Sequence, residues 1–233
     1  MNEMTTKPHA LSEPLMKTGE YQLDVLVQGY PGRSVCHGGL GWSTIALLRG
    51  RGRIAVIDAG GFGVRKHLVG RFKEVGVDPN DVTDVVLTHS HYDHAVNWVL
   101  FPKARVYIAA AELDWAATVP PGRTPVAEFY ASELKKSPQL RALKGGDEVF
   151  PGLMAYASPG HTPHHLIYQL STAEKDVIFT GDAVKNRAEL VSGVADATLD
   201  VPASAKTIQE IWAMWRKRPG SLLVPGHDVP MVL

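Results

Sequence analysis

Six consecutive residues constrain this chain more than any other stretch: His89-Ser90-His91-Tyr92-Asp93-His94. Four of them can ligate a metal ion, and core packing gives no reason to gather them. They follow Val85-Val86-Leu87, an apolar run that reads as a short buried strand, so the cluster sits where a strand ends. Imidazole suits zinc, iron and related ions, and a carboxylate adds charge. One turn cannot wrap all four side chains around a single ion, because odd and even positions point differently. His89 and His91 can share one ion, while Asp93 and His94 face a second. Each ion then needs ligands from elsewhere. Three candidates follow, in Pro159-Gly160-His161, Thr180-Gly181-Asp182 and Pro225-Gly226-His227. Each follows a predicted strand, and each carries a glycine that lets the backbone turn sharply.

The rest of the chain supplies a scaffold for that cluster. Its 233 residues suit one large domain, and a composition 45% apolar and 21% charged can bury a sizeable core. Strands are predicted over Tyr21–Val27, Ser43–Leu48, Ile54–Asp58, Asp84–Thr88, Arg105–Ile108, Leu153–Ala157, Leu166–Leu170, Val177–Thr180 and Leu222–Val224. Helices are predicted over Val64–Val75, Ala95–Phe101, Ala110–Ala117, Val126–Lys136 and Ala203–Arg218. In the last of these Ile208, Ile211, Trp212 and Trp215 share one face. Residues 1–19, with Pro8, Pro14 and Lys7, read as a flexible arm, leaving residues 20–233 as the folded domain. No stretch reads as a signal peptide or membrane span, so a cytoplasmic protein is expected. With 24 basic and 24 acidic side chains the formal net charge is zero, and nothing calls for nucleic acid as a partner. The single cysteine, Cys36, excludes a disulfide within the chain and reads as a small buried side chain.

The order His-x-His-x-Asp-His, then His161, Asp182 and His227, resembles the metallo-β-lactamase superfamily. Ile57-Asp58-Ala59-Gly60 and Ser158-Pro159-Gly160-His161-Thr162 add to the likeness. The resemblance implies an α+β class, αββα sandwich: two mixed sheets packed face to face, with helices outside. It implies two divalent metal ions per chain, zinc as the first choice and iron or manganese as alternatives. One ion would be held by His89, His91 and His161, and the other by Asp93, His94 and His227, with Asp182 bridging them. A metal-bound hydroxide would then attack the substrate. Asp93 and Asp182 would be catalytic as well as ligating, and Asp58 would orient ligand imidazoles.

Departures from the family's branches narrow the expected activity. Dedicated β-lactamases resemble this chain elsewhere but carry cysteine or serine where it has Asp182. Redox flavodiiron relatives carry glutamate at the position of His91. The sequence continues only six residues past His227, so the helical domain of glyoxalase II-like thioesterases is not expected. The nearest layout is that of small acyl-homoserine lactonases. These usually place a tyrosine three residues after the bridging aspartate, where this chain has Lys185, and a glycine where it has Val96. The reading is therefore a dinuclear-metal hydrolase of a small ester-like bond, first of all a lactone. Thioester, amide or β-lactam and phosphodiester hydrolysis, and a single-iron dioxygenase of the same fold, are the alternatives.

The substrate is expected to be a small molecule, with a homodimer as an assembly to test for. The cleft walls are expected from residues 31–41, from residues 119–136 and from the segment after Asp182. Lys185, Tyr30 and His37 are the candidate substrate contacts, and Trp42, Phe129 and Tyr130 add an aromatic lining. Tyr92 reads as packing, His67 as a solvated helix residue, His9 as inert in the arm, and His164 as structural.

Overall fold

A computed structural model describes residues 5–6, 13–34, 38–39 and 41–233. The chain enters through two short strands, β1 (Thr5–Thr6) and β2 (Met16–Lys17), before β3 (Tyr21–Val27). Strands β4 (Arg33–Ser34) and β5 (Gly38–Gly39) pair only with each other. Next come β6 (Ile45–Gly50), β7 (Arg53–Ile57), helix α1 (Arg65–Glu74), β8 (Asp84–Val86) and a one-turn α2 (Tyr92–Ala95). Strand β9 (Arg105–Ala109), helices α3 (Ala110–Ala116) and α4 (Glu128–Lys136), and β10 (Leu140–Leu143) complete the first half. The second half runs β11 (Glu148–Phe150), β12 (Leu153–Ala157), β13 (Leu166–Ser171), β14 (Asp176–Gly181), α5 (Arg187–Ser192), α6 (Val201–Arg216), β15 (Leu222–Pro225) and β16 (Met231–Val232).

These strands form two mixed sheets, ordered β10-β9-β8-β7-β6-β3-β2 and β1-β16-β15-β14-β13-β12-β11. Alternation along the strands explains the layering, because successive side chains point to opposite faces. In β6, Ala46 and Leu48 join the core between the sheets, while Ile45 and Leu47 pack outward with Leu68 and Phe72 of α1. In β14 and β15, Val177, Phe179, Leu222 and Val224 point inward, while Ile178 and Leu223 meet Ile208, Ile211 and Trp215 of α6. Both faces of each sheet are thus covered, which is the expected αββα sandwich. The α6 stripe is buried as the sequence suggests, except that Trp212 is only half-buried.

Three differences from the sequence reading have physical causes. Leu15 and Met16 lie in the inter-sheet core and Met16 pairs with Leu23, so packed chain begins inside the segment read as an arm ending at residue 19. Strand β10 was not anticipated because, as an edge strand, it is half-buried to exposed and shows no apolar alternation. The predicted helix over residues 95–101 is instead α2 followed by a 3-10 segment, Val96–Leu100.

Strand ends bring the site together. The His89–His94 run follows β8, and Asp58 follows its neighbour β7. In the other sheet Asp182 follows β14 and His227 follows the adjacent β15, while His161 lies between β12 and β13.

Candidate metal centre

All seven residues picked out as ligands converge at one edge of the sandwich. Metal-competent atoms of His89, His91 and His161 lie within 4.8 Å of one another, and so do those of Asp93, His94 and His227. Asp182 stands between the two groups. Its Oδ2 is 3.2 Å from His161 Nε2, and its Oδ1 is 3.1 Å from both His94 Nε2 and His227 Nε2.

This crowding needs something to hold it. His91 Nδ1 and His161 Nε2 are 2.9 Å apart, and His94 Nε2 and His227 Nε2 are 3.4 Å apart. Buried Nε2 atoms of His89 and His91 have no hydrogen-bond partner among the described residues. Lone pairs that face one another across a buried space repel unless a proton or a cation lies between them. The donors are imidazoles and carboxylates, the set that suits zinc and similar divalent ions, so the residues present fit such a metal.

Neighbouring groups fix the tautomers. Asp58 Oδ1 accepts from Thr88 N–H at 2.8 Å, and its Oδ2 accepts from His94 Nδ1 at 2.8 Å. The Thr88 hydroxyl, within 3.1 Å of both Asp58 oxygens, donates to that carboxylate. Its oxygen is then free to accept from His89 Nδ1 at 3.0 Å, which leaves His89 Nε2 with its lone pair aimed into the cluster. Asp58 thus reaches His94 directly and His89 through Thr88. It does so with a positive φ of 54°, an unfavourable backbone setting for a residue with a Cβ.

Two buried groups that the sequence reading did not single out support the ligands from behind. Asp182 N–H donates to His165 Nε2 at 3.1 Å, so the His165 proton sits on Nδ1 and goes to Ser158 Oγ at 2.8 Å. Burial pushes the His165 pKa down to about 3, consistent with a neutral ring. Glu112 on α3 is fully buried and accepts from Ser90 N–H, Ser90 Oγ and Thr162 Oγ1 at 3.1, 2.9 and 2.8 Å. The only sequence clue to Glu112 is a charge beside Leu113 and Ala116, the buried positions of a short helix.

Glycine is required where the loops meet. A Cβ on Gly226 would come within 2.4 Å of Asp182 Oδ1, and one on Gly160, at φ 137°, within 2.5 Å of the Ser204 backbone nitrogen on α6. Any side chain at these positions would displace His227 or His161.

The profile of the metallo-β-lactamase superfamily matches residues 38–227, most of the chain. The chain belongs to that superfamily. A human metallo-β-lactamase domain-containing protein 1 is 27% identical over 257 aligned residues, covering 97% of this chain and 88% of that protein. A Bacillus N-acyl homoserine lactonase is 26% identical over 168 residues, 70% of this chain; the match spans only 62% of the lactonase. A solved dizinc quorum-quenching lactonase, bound to its product N-hexanoyl-L-homoserine, superposes with a TM-score of 0.71 at 16% identity, covering 91% of this chain and 89% of the other. That last likeness concerns the fold. Membership and the ligand-type cluster give the protein the metallo-β-lactamase fold with a candidate metal site of the kind that superfamily carries.

A cleft of about 770 Å³ opens over the cluster of this superfamily member. As expected, its walls come from the 31–41 region, from residues 123–125 and from the segment after Asp182. The backbone of Tyr92 pairs with Pro125, which brings the 123–125 segment against the ligand motif, and Tyr92 itself lines the cleft rather than only packing. Lys185 lines it too. Its Nζ sits 3.1 Å from Glu189 Oε1, and its carbonyl accepts the His227 N–H at 2.7 Å.

The aromatic lining is not found there. Tyr30 and Trp42 stack 5.4 Å apart and, with Val64 and His67, line a second cavity of about 600 Å³. Tyr30, read as a candidate substrate contact, lines this second cavity and not the cleft over the ligand candidates. It ends the segment leading to Pro31 and Gly32, which do line the cleft. Phe129 is 71% exposed and Tyr130 packs on Phe62. In their place Arg123, Asn186, Glu189, Asp196 and Thr198 add polar groups to a wall that also holds Pro31, Pro125, Ala197 and Leu199. His164 is exposed, and His37 and Cys36 lie outside the described residues.

Proposed function

We propose that this protein is a hydrolase that uses two divalent ions to cleave a small ester-like bond, first of all a lactone. The observation that carries the two-ion part is the orientation of Asp182: one carboxylate oxygen faces His161 and the other faces His94 and His227. In this reading His89, His91 and His161 would hold one ion and Asp93, His94 and His227 the other, with Asp182 facing both groups. Zinc is the first choice, with iron and manganese as alternatives. Residues 20–233 make up the catalytic domain, which Leu15 and Met16 extend. When bound, the ions supply Lewis acidity and an activated water.

The chain's own residues do the remaining work. Asp58 and Thr88 hold His94 and His89 in the ligating tautomers. Lys185 lines the cleft, and its Nζ, buried beside Glu189, would donate a hydrogen bond to a substrate carbonyl by turning towards the cleft. Because Glu189 offsets its charge, Lys185 suits a neutral acyl group as well as an anion. The lactone preference draws on the lactonase relatives and on Asp182 in place of cysteine or serine. A phosphodiester is the second reading, supported by Arg123 and Lys185 on the cleft wall.

The test is metal analysis together with one activity panel. Two ions per chain, and turnover of lactones and aryl esters above thioesters, amides, β-lactams and phosphodiesters, are the expected results. One iron with oxygen uptake would overturn the hydrolytic assignment of substrate.

A further inference from the structure

One carboxylate behind the cluster touches neither the cleft nor any proposed ligand atom. Glu112 is 0% exposed, and among the described residues no lysine or arginine pairs with it. Burying a carboxylate without a cation is costly unless several donors face it. Here three donors do, and they come from two separate loops. Ser90 gives its N–H and hydroxyl to Oε1, and Thr162 gives its hydroxyl to Oε2.

Those donors are not arbitrary residues. Ser90 lies between His89 and His91, and Thr162 follows His161. A single side chain on α3 therefore spans the two loops that carry one complete triad, across 70 residues from His91 to His161. The two loops belong to different sheets, which meet behind them through Leu166 N–H to the Thr88 carbonyl at 2.9 Å and the Tyr168 hydroxyl to the Leu87 carbonyl at 2.7 Å. His89–His91 follow β8 of the first sheet, whereas His161 precedes β13 of the second. A carboxylate suits this task because it accepts at both oxygens and offers no donor of its own when ionised.

We propose that Glu112 is a positioning residue that clamps the Ser90 and Thr162 loops and thereby sets the convergence of His89, His91 and His161. The inference rests on the reading of those three histidines as one metal's ligands. The other triad, Asp93, His94 and His227, is held by different contacts. Asp58 fixes His94, the Lys185 carbonyl fixes His227, and the Ser43 hydroxyl donates to the Asp93 carbonyl at 2.5 Å. A clamp at Glu112 thus acts on one half of the site.

The test measures zinc affinity, by competition with a chromophoric chelator, in the full chain. A His227→Ala background leaves the Glu112-clamped triad as the intact site, and a His161→Ala background leaves the other. Glu112→Ala is expected to weaken zinc roughly 10- to 100-fold in the first background, the range seen for groups that support ligands, and less than about threefold in the second. Thr162→Val removes only one arm of the clamp at nearly constant shape. It should weaken zinc about tenfold in the first background alone, and it serves where Glu112→Ala does not fold. Equal losses in both backgrounds would show general destabilisation and overturn the proposal. So would unchanged affinity in both variants, or a loss confined to Glu112→Ala. If the parent His227→Ala protein binds no zinc, the ligand reading itself fails and the clamp goes with it; if it binds zinc and the clamp variants match it, the clamp alone fails.

Discussion

The two halves of the candidate metal site reach a similar geometry by opposite electrostatics. Around His89, His91 and His161 the nearest protein charge is one oxygen of Asp182. Burial, reinforced for His89 by the neighbouring imidazoles, holds the pKa of His89 and His161 well below the ordinary value and that of His91 at about 3, so these rings are neutral donors. Around His94 and His227 the balance reverses. Burial alone would lower both, but Asp182, with Asp58 and Asp93 beside His94, raises them. Burial raises Asp93, with Asp182 adding to the effect. Burial would also raise Asp182, yet His227, His94 and His161 outweigh it and hold that carboxylate well below its usual range. One half thus offers three uncharged ligands and keeps its carboxylate, Glu112, outside the ring of ligands. The other places its negative charge inside that ring.

The comparison teaches which contacts each half can lose. The neutral half depends on preset directions, because imidazoles without a charged partner gain little by adjusting. The charged half gains attraction for a cation directly and depends on Asp58 to keep His94 in the right tautomer. Substitutions should sort by half, and the predictions run from those that strike both to one that strikes neither.

Removing metal strips both halves at once and should abolish hydrolysis. A ligand at about 100 times its Kd adds about 2.7 kcal/mol to stability. For a domain of this length about 2–4 °C accompanies each kcal/mol, so chelation should lower Tm by roughly 5–10 °C. Differential scanning calorimetry before and after dialysis against a chelator measures this, and an unchanged Tm with full activity would remove metals from the mechanism.

Asp182→Ala also strikes both halves, since each loses an oxygen. It should cost more activity than the roughly 10- to 100-fold typical of supporting residues, and it should weaken at least one ion. A fully active variant would end the two-metal reading. Asp58→Asn strikes mainly the charged half. It should keep the fold and lower activity or metal affinity by roughly 10- to 100-fold, because an amide can present its NH2 to His94 Nδ1 and favour the wrong tautomer. Wild-type behaviour in both assays would reduce Asp58 to a turn residue.

How much of this was legible beforehand follows the same division. The seven ligand candidates, which the fold brings together, were readable because the chemistry demands particular residue types at particular spacings, and no core-packing explanation competes with His89-Ser90-His91-Tyr92-Asp93-His94. The sandwich was readable where strands such as β6 and β14 are buried on both faces between breakers. Glu112 and His165 were not, because each is a single letter whose role depends on loops far away in sequence. Tyr30 and Trp42 show another limit. Their loop was placed correctly beside the site, but which side of the loop a ring faces depends on the Tyr30–Trp42 pairing, a tertiary contact. The edge strand β10 escaped because exposure erases the alternation that would announce it.

The smallest expected effect belongs to Lys185, which lies on the cleft wall and in neither triad. Its backbone carbonyl accepts from His227 N–H, and that contact survives truncation of the side chain. Lys185→Ala therefore removes only Nζ, together with its 3.1 Å contact to Glu189, and isolates what the ammonium does for substrate. If the group grips a ground-state carbonyl, the interaction is present before and during bond cleavage, and its loss raises KM while kcat holds. A rise in KM of about 3- to 10-fold with a smaller fall in kcat is expected for one such hydrogen bond, worth about 0.5–1.5 kcal/mol. The same measurement tests the substrate class. Amide nitrogen must be protonated as it departs, and among the described residues lining the cleft the proton donors outside the ligand candidates are Lys185, Tyr92, Glu189 and Asp196, with Lys185 and Glu189 already paired to each other. Lactone or aryl-ester turnover should thus exceed β-lactam turnover by at least about tenfold in kcat/KM, a barrier difference of roughly 1.4 kcal/mol. A fall in kcat with KM unchanged would move Lys185 from substrate grip to bond cleavage. β-Lactam turnover faster than lactone turnover would overturn the ester reading and leave the two contrasting halves of the metal centre as they are.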